Sequence, residues 1–184
     1  MLEFERQKLE LLYDSKIVAL YKDYLKTPKG NIVEYDLIKH KSKGGAGILL
    51  VDDNEDVYLV KQYRNSINRV DIEIPAGGYS YDGEAGSICA VREAEEETGF
   101  VPQNIVHVTE IVSSIGTFDE KTDIYIGTDL KIGAIKYDPD EFIEVIKMGF
   151  EDALNKIYTG EIIDSKTIIA LLAYKDLRDR KKLW

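Results

Sequence analysis

The chain has 184 residues, with 34 acidic against 24 basic side chains, a net charge of −10 and a 44% hydrophobic fraction. That is enough apolar material for one domain of ordinary size with a small appendage, and it excludes wholesale disorder. The acidic balance excludes a general nucleic-acid binder, which needs a positive face to displace phosphate counterions.

Residues 1–40 read as a separate β-rich layer, and residues 41–184 as the main domain. In the first layer Ser15–Tyr21 and Asn31–Ile38 alternate as strands, with Thr27-Pro28-Lys29-Gly30-Asn31 as their turn. Ala46–Val51 and Val57–Tyr63 form a second strand pair around an Asp- and Asn-rich turn. Residues 64–84 read as mostly irregular and hold Pro75, Gly77, Gly78 and Gly83. Helical periodicity begins near Ala85, with Ile88, Val91 and Ala94 on the apolar side and Gly99 as a left-handed stop. Ile105–Ser113, Thr122–Ile126 and Phe142–Met148 read as strands. Phe150–Tyr158 reads as a helix ending at Gly160. Asp164 or Ser165 caps a last helix that carries Ile168, Ile169, Leu171, Leu172 and Leu177 and ends in Arg178, Arg180, Lys181 and Lys182. The order predicts an α/β domain, a mixed sheet with helices on both faces.

A lone cysteine, Cys89, cannot pair within the chain, which fits a reducing compartment. No apolar run approaches the ~20 residues of a membrane span. The N-terminal MLEFERQKLE lacks the apolar core of a signal peptide. The expectation is a cytoplasmic protein with no membrane or nucleic-acid partner.

The stretch that carries chemistry is GYSYDGEAGSICAVREAEEETGF, Gly78 to Phe100. On a helix Glu93, Glu96 and Glu97 share one face, while Glu95 points elsewhere. Like charges at that spacing repel, so the face is either solvated or neutralised by a cation. With only oxygen donors nearby, that cation is a hard one, Mg²⁺ or Mn²⁺, rather than zinc. A glycine-rich loop lets backbone carbonyls come close to an ion. Arg92 is placed to hold a neighbouring carboxylate by a bidentate pair.

The spacing Gly78, Glu84, Arg92-Glu93-Ala94, Glu96-Glu97, Gly99-Phe100 resembles the Nudix box, with every interval met. The resemblance implies the Nudix fold, an α/β/α sandwich around a mixed sheet, here with a small N-terminal β layer. It also implies hydrolysis of a nucleoside diphosphate linked to another moiety. The flanks resemble the branch of ADP-ribose pyrophosphatases and nucleotide-sugar hydrolases: Gln62-Tyr63-Arg64, then Glu73-Ile74-Pro75-Ala76-Gly77, the loop SIGTFDEKTDIY, the segment DPDEFIEV and the helix GEIIDSKTIIAL. That branch implies cleavage of ADP-ribose to AMP and ribose 5-phosphate, with GDP-mannose or UDP-glucose as alternatives. A nucleotide sensor without turnover is the reading from another class. The branch also implies a homodimer joined through the N-terminal layer.

Carried over residue by residue, the box implies metal ligands Glu93, Glu97 and Glu96, with the Ala76 carbonyl as a fourth, for Mg²⁺ or Mn²⁺. Arg92 and Glu96 stand with the catalytic residues, and Glu84 orients Arg92 or a water. The resemblance places the general base in the loop after the box, where Glu141 matches a carboxylate associated with metal, Glu120 is the other acid, and the base position itself falls on Pro139, with Asp138 and Asp140 as substitutes. Arg64, Tyr63, Glu73 and Tyr35 are expected to contact substrate, with Arg69, Tyr79 and Tyr81 as weaker candidates. His40 and His107 read as structural residues without a paired partner, and Cys89 as buried and inert. Two departures stand out. Gly77 sits one position before the box spacing, so the loop gains a residue, and Ile115 stands where a proline is common.

Overall fold

The alternation in the first forty residues is spent on a three-stranded meander, β1 (Glu5–Asp14), β2 (Val18–Lys26) and β3 (Ile32–His40), in that order and antiparallel throughout. The computed structural model describes residues 2–42, 44–136 and 142–180. β1 corrects the two-strand expectation. It is exposed at almost every position, so it has no buried face to announce it by periodicity. Pairing with β2 holds it instead, helped by the Arg6 fork onto buried Asp23 at 2.8 and 2.7 Å. The β2–β3 turn closes through Thr27 N–H to Asn31 O, with Gly30 at φ +89°. The unit also takes Val112–Lys121, whose Phe118 bridges to Ile38 and whose Asp119 carboxylate accepts His40 N–H.

The second unit runs from Gly45 to Ile111 and from Thr122 onward. Its sheet orders β10 (Ile143–Gly149), β5 (Asp56–Arg64), β4 (Gly44–Val51), β9 (Lys121–Ile132) and β8 (Phe100–Val112). β6 (Arg69–Glu73) is added on β5, and β7 (Ala76–Gly78) on β4. Three helices complete it: α1 (Gly86–Thr98), α2 (Phe150–Tyr158) and α3 (Ser165–Asp179). Both faces of the sheet are covered, so β4 is buried at every position. Leu49 and Val51 pack with Phe150, Leu154 and Leu171 of α2 and α3. Ala46, Ile48 and Leu50 face Cys89, Ala90 and Ala94 of α1. Each fully buried Ile or Leu contributes roughly 1.5–3 kcal/mol over leaving it exposed.

β6 and β7 correct the expectation that residues 64–84 are irregular. In β6 the acids Asp71 and Glu73 are buried while Val70 is exposed, the reverse of the pattern that marks a strand. β7 is Ala-Gly-Gly and offers no side-chain signal at all. The apolar face expected on α1 is also displaced. Ile88 is exposed, and the buried residues are Cys89, Ala90, Glu93, Ala94, Glu97 and Thr98. Small side chains bring α1 close to the sheet, and two glutamates go in with them. Among the described residues no helix is long and apolar enough to cross a membrane.

Candidate active site

The site is built where α1 lies on β7, and glycines set how close the two come. β7 registers on β4 with Gly45 opposite Gly78, Ala46 opposite Gly77 and Gly47 opposite Ala76. A Cβ on Gly45 would overlap the Gly77 carbonyl, and one on Gly77 would overlap the Glu93 carboxylate. Gly77 thus leaves a recess that Glu93 fills. Gly78 does a different job, since its carbonyl accepts Arg92 Nη2–H at 2.9 Å. The additional glycine therefore separates two tasks, admitting Glu93 and anchoring Arg92. Gly77→Ala is expected to destabilise the fold by about 1–3 kcal/mol and to lower turnover, as read by urea melts and initial rates; an unchanged rate would show that Glu93 need not sit against β7.

Arg92 organises the acids. Its Nη1 reaches Glu93 Oε1 at 2.6 Å and Glu96 Oε2 at 3.0 Å, and its Nε reaches Glu84 Oε1 at 3.2 Å. Burial pulls the guanidinium down, but Glu84, Glu93 and Glu96 outweigh it and hold its pKa well above the ordinary value. Burial likewise pushes Glu84 up, yet Arg92 and the Ser80 N–H, donated at 2.6 Å, keep this carboxyl below its usual range. Glu97 is buried, and its Oε2 accepts Ala76 N–H at 3.3 Å. Glu95 lies apart and accepts Ala134 N–H. Cys89 is fully buried, and desolvation together with nearby Glu93 raises its thiol to about 12.

The ionised donors on β7 and α1 are oxygens, three glutamates beside the carbonyls of a glycine-rich strand, since the Cys89 thiol that touches the Gly77 carbonyl at 3.5 Å stays protonated. That chemistry fits a hard divalent cation, and the Gly77 recess sets Glu93 against the same strand as the Ala76 carbonyl. In the present arrangement Arg92 draws Glu93 and Glu96 to itself, and among the described residues no three His, Cys, Asp or Glu side chains converge on one ion position.

The other expected residues fall in three places. Arg64 and Glu73 pair with each other, Nε to Oε1 at 2.5 Å and Nη2 to Oε2 at 2.7 Å. The Glu73 fork leads the influences that raise the Arg64 pKa, and Glu97 adds to it through space. Tyr63 is exposed, and its hydroxyl donates to Asn68 across the β5–β6 hairpin. Arg69 is tied to Asp71 and to the Glu161 carbonyl. Tyr81 is exposed, on the loop before α1. Tyr35 and Glu120 belong to the N-terminal unit, Tyr35 exposed on β3 and Glu120 with its carboxylate 3.7 Å from His40 Nε2. Glu141, with Asp138, Pro139 and Asp140, lies outside the described residues, as do Lys181 and Lys182.

Sequence reasoning missed Asp123. Its carboxylate takes the Tyr79 hydroxyl at 2.9 Å and sits 2.8 Å from His107 Nε2, so His107 does have a partner. His40 has one too, in the Ser42 hydroxyl. Asp123 also stands against Gly86, where a Cβ would come within 2.6 Å of Oδ2. α1 has no side-chain cap and no acid in its first turn, and this carboxylate supplies negative charge at the positive helix end from another strand. No local spacing announces a cap of that kind.

Comparison with known proteins bears on this geometry. The NUDIX domain family matches residues 41–171. The chain is 33% identical over 164 residues to an ADP-ribose pyrophosphatase of Bacillus subtilis (strain 168), covering 88% of this chain and 87% of that protein. It is 33% identical over 185 residues to a GDP-mannose pyrophosphatase of Enterobacter sp. (strain 638), covering 92% and 94%. A crystal structure of an ADP compounds hydrolase superposes with a TM-score of 0.84 at 15% identity, covering 98% of this chain and 97% of the other, a likeness of fold.

Proposed function

Because this chain belongs to the Nudix family and is a Nudix pyrophosphohydrolase, we propose that it cuts the pyrophosphate bond of ADP-ribose, giving AMP and ribose 5-phosphate. The observation that carries the reading is the Arg92 cluster, which gathers Glu84, Glu93 and Glu96 beside the Ala76–Gly78 strand. Similarity to an ADP-ribose pyrophosphatase over most of both chains supports the choice of nucleotide. Similarity to a GDP-mannose pyrophosphatase supports a second reading, another nucleoside diphosphate sugar.

Glu93, Glu97 and Glu96, with the Ala76 carbonyl, would hold Mg²⁺ or Mn²⁺. When bound, such an ion offsets the charge of the diphosphate and makes a water more acidic. Arg92 keeps Glu93 and Glu96 in fixed rotamers, and Glu84 keeps Arg92 in place. Arg64, held by Glu73, offers a cation to the diphosphate or the terminal ribose. Tyr63 offers an aromatic face to base or sugar. An acid of the segment after the box, Asp138, Asp140 or Glu141, takes the proton from the attacking water. We further assign the protein to the cytoplasm and expect it to work as a homodimer through the three-stranded layer.

The test is a panel of ADP-ribose, GDP-mannose and UDP-glucose, assayed for AMP, GMP or UMP with Mg²⁺ and with EDTA. AMP release from ADP-ribose tens of times faster than from any rival (roughly 2 kcal/mol of discrimination), lost with EDTA, is the expected result. A faster guanine or uridine sugar replaces the substrate, and no release from any of them favours a sensor.

A further inference from the structure

A second polar cluster lies where β5 and β6 meet the first turn of α3. It lines a cleft of about 320 Å³ with Arg64, Ser66, Glu73, Asp164, Ser165 and Lys166. Lys166 Nζ is 2.6 Å from Asp164 Oδ1 and 3.4 Å from Glu73 Oε2. Glu73 Oε2 is the same oxygen that accepts Arg64 Nη2–H. The two acids are deeply covered, with side chains 3% exposed for Glu73 and 11% for Asp164. Asp164 also caps α3 through Thr167, and the Thr167 hydroxyl accepts Ile74 N–H at 2.8 Å. The first turn of α3 is thereby registered on the strand end that leads to Ala76.

Lys166 is an odd residue for that place if only folding mattered. A cation in the first turn opposes the helix dipole. A covered ion pair is often replaceable by apolar side chains without loss of stability. Burial pulls the Lys166 pKa down, but Asp164 and Glu73 outweigh it, so the ammonium stays charged. What it does hold is one oxygen of the carboxylate that orients Arg64. Building on the proposed hydrolysis of an anionic diphosphate, we propose that Lys166 is a positioning residue, which fixes the Glu73 carboxylate so that Arg64 presents its guanidinium to substrate phosphate in the cleft.

Lys166→Met in the full chain is expected to raise KM for ADP-ribose about tenfold, as a displaced binding group does, with kcat changed far less. Lys166→Arg, which keeps the charge, recovers part of the loss. In an Arg64→Ala background Lys166→Met adds nothing further, because both act through one group. A second readout needs no turnover: the Arg64 Nε–H resonance is expected to be sharp and slowly exchanging in the unaltered protein, where it donates to Glu73, and to broaden in Lys166→Met, or in Lys166→Gln should the methionine variant fail to fold. An unaltered Arg64 resonance, or additive effects of the two substitutions, overturns the role of Lys166. Failure of the unaltered protein to cleave any nucleoside diphosphate sugar overturns the substrate reading instead, and the resonance still decides Lys166.

Discussion

Glu97→Gln is expected to abolish useful turnover, a fall in kcat of about 10²–10³-fold or more, while the protein stays folded. Glutamine has the shape of glutamate and keeps an oxygen to accept the Ala76 N–H that Glu97 now takes at 3.3 Å. It loses the negative charge, which is the property a divalent cation needs. The same change at Glu93 gives the same loss, with more effect on stability, because Glu93 also balances Arg92 at 2.6 Å. The measurement is kcat at saturating Mg²⁺ beside a thermal melt. A near-native rate in either variant would remove that glutamate from the metal site. A collapsed melt for Glu97→Gln would instead make Glu97 a structural partner of β7.

The helix and its acids were open to sequence reasoning because they obey local rules. Glu93, Glu96 and Glu97 need only the helical repeat to share a face, and Gly99 needs only its left-handed φ of +74° to stop the helix. α2 occupies the residues its periodicity predicts, Phe150–Tyr158. What escaped was set by partners far away in sequence. Glu73 is buried under Arg64 of the neighbouring strand and Lys166 of α3, the latter 93 residues away. Thr167 meets Ile74 across 93 residues, and Asp123 meets Tyr79 across 44. No spacing within one element encodes such contacts. The two glycines of β7 were visible as a departure, but their separate tasks depend on which face of α1 is buried. Ala94 and Cys89 are buried as expected, but Ile88 is exposed and its place toward the sheet is taken by Ala90 and two glutamates.

Arg92→Met is expected to end turnover and to lower folding stability by about 3–5 kcal/mol, the usual consequence of breaking a buried pair from one side. Methionine matches the length of the stem but leaves the Glu84 carboxylate, 1% exposed, without its main counter-charge. The loss should depend on pH in a definite sense. In the native protein burial pushes Glu84 up, but Arg92 and Ser80 hold it below its ordinary value of 4.5. Its contribution to stability is therefore present above that ordinary value and is lost as pH falls through the lower folded one. Without Arg92 burial prevails, and the folded carboxyl rises above its unfolded value. The variant then carries a penalty at neutral pH that fades as pH falls and Glu84 takes up a proton on folding. The stability gap between native protein and variant should therefore narrow between pH 7 and pH 5 in urea melts. A gap that stays constant would mean that Glu84 is not held ionised by Arg92, and that the cluster is kept together by its hydrogen bonds to β7 and the loop rather than by charge.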